Sequence, residues 1–169
     1  PVLWLLRDGR RGDAEPYAPG LAACGIGPDR LIVVRAGTDK DLLWAVEEAL
    51  RCPGIGAVVA EPARMDITAG RRLQLAAEAG GATAILVRPA DASGVAGTAV
   101  TRWRVSPAPG LVDDREPGVG AARWRLELLR CRGGSPGAWL ARWTGERLSA
   151  SRLQQAPAPE ADARGRASA

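Results

Sequence analysis

Four short apolar runs in the first half of the chain have the length and composition of β-strands. They are Val2–Arg7, Arg30–Arg35, Gly56–Ala60 and Thr83–Arg88. The central runs show no alternation of apolar and polar residues, a pattern typical of strands buried on both faces of a parallel sheet. The first half is therefore predicted to form a parallel sheet with helices on its faces.

Helical patterns separate these runs. The clearest helix begins after Thr38, a capping residue with Asp41 three positions further on, close to a capping box. Its apolar positions recur at helical spacing and are expected to face the sheet, whereas Glu47, Glu48 and Arg51 are expected to face solvent. The apolar positions are Leu42, Leu43, Val46, Ala49 and Leu50.

Two further helices are predicted. A short helix is predicted over Tyr17–Cys24, and a longer one from Asp66 or Thr68 to about Ala79, where Gly80-Gly81 ends it.

Strict alternation replaces these patterns in the second half. Thr101, Trp103 and Val105 share one face of a predicted strand, and Arg102 and Arg104 take the other. Arg123–Arg132 and Ala138–Trp143 alternate in the same way, so an antiparallel extension with one covered face is expected, with Trp124, Trp139 and Trp143 packed in it. Pro107–Gly120 is predicted to be a loop. The prediction is one domain over residues 1–147 and a disordered tail over 148–169.

Composition narrows the chemistry. The 169 residues contain no histidine, one lysine (Lys40) and three cysteines whose spacing fits no zinc motif, so the cysteines are expected to be small core residues. No run is long enough to span a membrane and no signal peptide is visible, so a cytoplasmic protein without a membrane partner is expected. Residues 100–147 contain nine arginines and five carboxylates. This excess of positive charge is compatible with contact to DNA or to an acidic protein surface, and equally with arginines that are simply exposed to solvent.

Several segments along the chain together form a recognisable pattern. They are Leu3-Trp4, Tyr17-Ala-Pro-Gly-Leu21, Leu42-Leu-Trp-Ala-Val-Glu-Glu-Ala-Leu-Arg51, Arg71-Arg72 with Leu73-Gln-Leu-Ala-Ala77, Thr101-Arg-Trp-Arg-Val105, Arg123-Trp124, Glu127-Leu-Leu-Arg130, Arg132-Gly-Gly134 and Trp139. Taken together, these segments resemble the ImuA family. The resemblance covers roughly residues 1–145 and implies a RecA-like α/β fold, with a mostly parallel central sheet, flanking helices and an antiparallel extension at the C-terminal end.

The resemblance also implies a function in the SOS response to DNA damage. ImuA proteins act in translesion synthesis beside a catalytically inactive Y-family polymerase relative, ImuB, and an error-prone replicative-type polymerase. They are related to the division inhibitor SulA and to RecA. An accessory protein that binds ImuB is therefore expected, with RecA and the error-prone replicative-type polymerase as further candidate partners; self-association stays open.

Nucleotide hydrolysis is not expected. No G-x-x-x-x-G-K-[ST] phosphate loop occurs, and Lys40 stands between two carboxylates that would repel phosphate. Glu61 follows a strand at whose end a RecA-type hydrolase places a magnesium-binding Asp, but an ordinary strand-end carboxylate is the simpler interpretation of Glu61. Asp8, which follows the first strand, is a second candidate carboxylate. No cofactor is expected. The chain begins at Pro1, so a preceding segment is expected to be missing.

Seven residues are candidates for partner binding because Arg and Trp dominate interface energetics. They are Arg71, Arg72, Arg102, Trp103, Arg104, Arg130 and Arg132. Solvated arginines and a core Trp103 are the competing interpretations, and weak nucleic-acid contact by the arginine-rich sheet stays open. Two other functions stay open: a SulA-like inhibitor that caps a filament of RecA or of the tubulin-like division protein, and a degenerate RecA-type ATPase.

Overall fold

The fold was obtained as a computed structural model, which describes residues 1–8, 15–89, 98–113 and 116–153. The chain forms two compact units, Pro1–Val100 and Thr101–Ala169. In the described residues no helix is long and apolar enough to cross a membrane.

The first unit alternates strands and helices, as the sequence predicts. Its elements are β1 (Val2–Arg7), α1 (Ala18–Ala23), β2 (Leu31–Ala36), α2 (Asp39–Arg51), β3 (Ala57–Ala60), α3 (Ile67–Gly80) and β4 (Thr83–Leu86). The strands pair in parallel in the order β2-β1-β3-β4. The predicted parallel sheet is confirmed.

The two long helices cover one face of this sheet and begin at the predicted capping residues. Thr38 accepts a hydrogen bond from the Asp41 amide at 3.1 Å, and Asp66 accepts one from the Ala69 amide at 2.7 Å. Such caps satisfy amides that the first helical turn leaves without partners. The core beneath the helices contains Leu5, Val58, Leu42, Val46, Leu50 and Leu73, all almost fully buried.

Three expectations about burial are wrong. β2 lies at the edge of the sheet, where β1 is its one neighbour among the described strands, and its Ile32 and Val33 are exposed. Glu47 is buried, with 6% of its surface exposed. Cys24 and Cys52 are exposed, not core, and all three cysteines are free thiols.

The second unit is an antiparallel sheet. Its strands β5 (Thr101–Asp113), β6 (Glu116–Cys131), β7 (Gly137–Trp143) and β8 (Leu148–Arg152) pair in sequence order. The predicted antiparallel extension is therefore present, and Trp124, Trp139 and Trp143 are half-buried in it, as expected.

The predicted loop Pro107–Gly120 is wrong, because β5 and β6 continue through most of it. Pro107 lies opposite Trp124 and Leu111 lies opposite Ala121. β5 is an edge strand, and an edge tolerates proline because one side of the strand has no partner that needs the missing N–H.

The start of the predicted tail also differs in the structure. Leu148–Arg152 form β8, and Ala150 lies opposite the fully buried Ala141 of β7. Pairing with a neighbouring strand orders this segment although its own residues offer little to pack. Residues 154–169 of the predicted tail lie outside the described residues.

Candidate partner-binding site

Asp39 closes the edge of the parallel sheet at which the strands end. Its carboxylate accepts hydrogen bonds from the Ala63 and Arg64 amides at 3.0 and 3.1 Å, and contacts the Arg7 guanidinium at 3.4 Å. Arg7 ends β1, and Ala63 and Arg64 follow β3. In open α/β sheets ligands bind where the strand order reverses, which is between β1 and β3 here. The protein's own carboxylate occupies this position.

The residues considered for nucleotide chemistry have other surroundings. Lys40 is exposed beside Asp39 on the first turn of α2. Glu61 accepts a hydrogen bond from the Trp4 indole N–H at 3.0 Å. The Asp8 amide donates to the Ala36 carbonyl and extends the pairing of β1 with β2. Glu61 is therefore a strand-end carboxylate that accepts a hydrogen bond from a tryptophan side chain.

A groove of about 710 Å³ runs between α2 and α3 and is lined by residues from both helices. Its apolar side chains are Leu43, Trp44, Met65, Ala69 and Leu73. Trp44 is the largest of them and has 62% of its surface exposed. Lys40 and Arg64, together with Asp41 and Asp66, also line this groove. An exposed tryptophan among charged side chains is the composition of an interface anchor.

Glu47 and Arg72 form part of the groove wall and join its two helices. Arg72 contacts the Glu47 carboxylate at 2.5 Å, and Arg51 contacts the same carboxylate at 2.6 Å. These ion pairs explain why Glu47 is buried, since a buried charge requires a partner. Arg72 still exposes 59% of its side chain and can contact a bound molecule. Its neighbour Arg71 is exposed and donates to Gln74 on the same helix.

The other candidates lie on the antiparallel sheet. Arg102, Arg104, Arg130 and Arg132 are all exposed, and Arg102 lies directly opposite Arg130. Trp103 is 47% exposed, and its ring lies 5.6 Å from the Trp139 ring at an angle of 48°. The structure thus brings Arg102, Arg104 and Arg130 onto one sheet face, while Arg71 and Arg72 belong to the first unit.

Trp44 was missed by sequence reasoning. The signal was present, because Trp44 is two positions from both Leu42 and Val46 and so falls off the helix face that those residues bury. An apolar aromatic on the polar side of an amphipathic helix indicates a contact with something else. Asp39 was missed as well, and no local pattern marks its contacts with residues more than twenty positions away.

Comparison with known proteins identifies relatives. No protein-family model matches the chain. The chain is 40% identical over 148 residues to Protein ImuA from Caulobacter vibrioides, in strain NA1000 / CB15N and in strain ATCC 19089 / CIP 103742 / CB 15. The match covers 82% of this chain and 59% of each relative, so the chain spans less than two thirds of their length.

A solved structure, SulA from Pseudomonas aeruginosa, is also similar, with 23% identity and a TM-score of 0.40 over 50% of this chain and 68% of that chain. A score of that size does not establish a common fold, so the RecA-like and SulA-like details remain predictions. The 40% identity to the two Caulobacter proteins confirms the resemblance to the ImuA family that was found in the sequence.

Proposed function

We propose that this chain is a non-catalytic accessory protein of SOS-induced mutagenesis. In this proposal it binds an ImuB-like, inactive relative of Y-family polymerases during translesion synthesis, and RecA is a further partner. The observation that carries the proposal is the 40% identity to ImuA proteins. The chain spans 59% of those relatives, so the partners of the longer proteins are part of the proposal.

The geometry of the first unit supports binding rather than catalysis. Asp39 fills the position at the end of β1 and β3 where ligands of open α/β sheets bind. The groove between α2 and α3, in contrast, is open and exposes Trp44. Tryptophan and arginine are the residue types that contribute most to the free energy of protein association.

The groove suits a short amphipathic segment of the partner. Trp44 and the apolar side chains beside it would contact an apolar residue of that segment, and the exposed part of Arg72 would contact a carboxylate. Because Arg72 is already held by Glu47, it loses little side-chain entropy when the partner binds. An arginine ordered in this way contributes more to affinity than a freely moving one.

The test is a calorimetric titration of this chain with the purified ImuB-like protein. Trp44→Ala is expected to weaken binding by about 2 kcal/mol, close to thirtyfold in Kd, as for a central interface residue. Tyr17→Ala is the matched control, because Tyr17 is an aromatic residue that is 71% exposed and does not line the groove. The control is expected to bind like the unchanged chain.

Two outcomes would contradict the proposal. If neither this chain nor a full-length ImuA relative binds the polymerase relative at micromolar concentrations, the accessory function is wrong. If binding occurs and Trp44→Ala binds as tightly as Tyr17→Ala, the groove is not the contact surface. Thermal unfolding of both variants shows whether a loss of binding results from a loss of folding.

A further inference from the structure

One face of the antiparallel sheet carries a row of arginines, here called the arginine face. Alternation and strand register place Arg102, Arg104, Arg123, Arg125 and Arg142 on it, and a register shift beside Trp103 sets a sixth arginine, Arg130, opposite Arg102. Five of them are exposed, and Arg123 is half-buried, with its guanidinium donating to the Pro109 carbonyl at 3.2 Å. Among the described side chains Glu127 is the acidic residue of this face, so the face has a strong positive charge.

Two pairs of arginines on this face lie directly opposite each other. Arg102 is the cross-strand partner of Arg130, and Arg123 is the partner of Arg142. Like charges at directly opposed positions of an antiparallel sheet destabilise it. The sheet therefore keeps two unfavourable pairs, which an anion bound between the guanidinium groups would convert into favourable contacts.

The available carboxylate does not neutralise these pairs. Glu127 contacts Arg104 at 3.5 Å and Arg125 at 3.2 Å, in the middle of the face. No carboxylate in the part of the chain that the structure describes forms an ion pair with Arg102, Arg130 or Arg142. The unpaired charge is thus concentrated at both ends of the face.

The arginines follow one another at regular intervals along the strands. The Arg102 pair comes first, then Arg104, then Arg125 opposite Ser106, and last Arg123 opposite Ala108. Side chains on one face of a strand repeat every two residues, or about 7 Å, so the row extends over about 20 Å. Each step of the row carries at least one guanidinium group.

We propose that the arginine face binds the phosphate backbone of a single-stranded nucleic acid. The guanidinium group is planar and donates two parallel hydrogen bonds to a phosphate. An extended strand of any base sequence presents phosphates at nearly the same interval as this row. An acidic peptide would match it only with carboxylates at alternate positions of an extended segment. The proposal does not depend on the binding of a polymerase relative.

The experiment uses the whole chain and a fluorescently labelled oligothymidylate, and measures anisotropy over a range of sodium chloride concentrations. The logarithm of the association constant falls with the logarithm of salt by about 0.7 for each neutralised phosphate of a single strand. The double variant Arg102→Gln with Arg142→Gln removes one arginine from each opposed pair. We expect its salt slope to be smaller by about 1.4 and its low-salt affinity to be about tenfold weaker.

Stability separates binding from a structural role for these arginines. Removing one charge from each opposed pair relieves repulsion, so the melting temperature of this double variant is expected to stay equal or rise. The control is Arg30→Gln with Arg35→Gln, which removes two exposed arginines from the first unit and leaves the arginine face intact. The control is expected to retain the affinity and the salt slope of the unchanged chain.

Three results would overturn the proposal. The first is the absence of oligothymidylate binding at low salt. The second is an equal loss of affinity in the control, which would mean that overall charge, and not this face, attracts the strand. The third is competition by polyglutamate at the same charge concentration as efficiently as by unlabelled oligothymidylate, which would identify the face as a site for acidic protein segments.

Discussion

Replacing Asp39 by alanine would remove the contacts that close the end of the parallel sheet. The carboxylate accepts hydrogen bonds from two amides of the segment after β3 and contacts Arg7 at the end of β1. A hydrogen bond to a charged group contributes about 1.5–3 kcal/mol. The Asp39 side chain is 18% exposed, so water replaces part of what is lost, and the half-exposed Arg7 pair adds little. We expect Asp39→Ala to lower the free energy of unfolding by about 2–4 kcal/mol.

Asp41→Ala is the matched control for this experiment. Asp41 lies on the same first turn of α2, and its exposed carboxylate accepts a hydrogen bond from the Thr38 hydroxyl at 2.7 Å. Both variants remove one negative charge from the same helix N-terminus, so the effect on the helix dipole is shared. The loss of the local contact with Thr38 is expected to cost about 1 kcal/mol or less.

Urea unfolding followed by far-ultraviolet circular dichroism measures both free energies. The difference between the two variants gives the contribution of the contacts that Asp39 makes with β1 and with the segment after β3. If Asp39→Ala is no less stable than Asp41→Ala, these contacts contribute nothing, and the argument that Asp39 closes the sheet edge is refuted.

Three further predictions use the same chain. Gly80→Ala is expected to lower the free energy of unfolding by about 2 kcal/mol although alanine favours helices, because its Cβ would lie 1.9 Å from the Leu50 carbonyl oxygen. Gly37→Ala is the control, because a Cβ there meets no atom within 4 Å, and it should change the stability in urea little. Equal effects of the two substitutions would contradict the close approach of α3 to α2. Leu42→Ala should cost about 2–5 kcal/mol because Leu42 is fully buried, whereas Leu75→Ala, at a residue 49% exposed, should cost less than about 1 kcal/mol in the same titration. Light scattering of RecA and of the tubulin-like division protein should show unchanged filament growth with this chain present, and inhibition of either would favour the filament-capping alternative.

Local patterns predicted most of the first unit. Thr38 and Asp66 cap α2 and α3 as their positions in the sequence indicate, and the unalternating run before Arg35 forms a parallel strand. A helix cap and a β-strand each depend on residues that are close together in the chain, so a single sequence is enough to predict them. The order of strands is set by the whole sheet, and it alone determines that β2 is an edge with exposed Val33.

Contacts between distant residues explain what the sequence could not predict. Glu47 looks like a solvent-facing residue of α2, and only the approach of Arg72 from α3 makes its burial favourable. Pro107 looks like a loop residue, and only its place on an edge strand lets β5 continue through it. The opposed pairs of the arginine face depend on the register of β6 with both neighbours, which alternation within one strand does not fix.

Under the proposed function, this protein supports damage-induced mutagenesis through the groove that contains Trp44. A direct measurement is the mutation frequency after ultraviolet irradiation in a bacterium that carries this gene, with the gene deleted and then restored. Deletion should lower the induced mutation frequency, the gene carrying Tyr17→Ala should restore it, and the gene carrying Trp44→Ala should not. An induced frequency that deletion leaves unchanged, or that Trp44→Ala restores in full, would contradict the account.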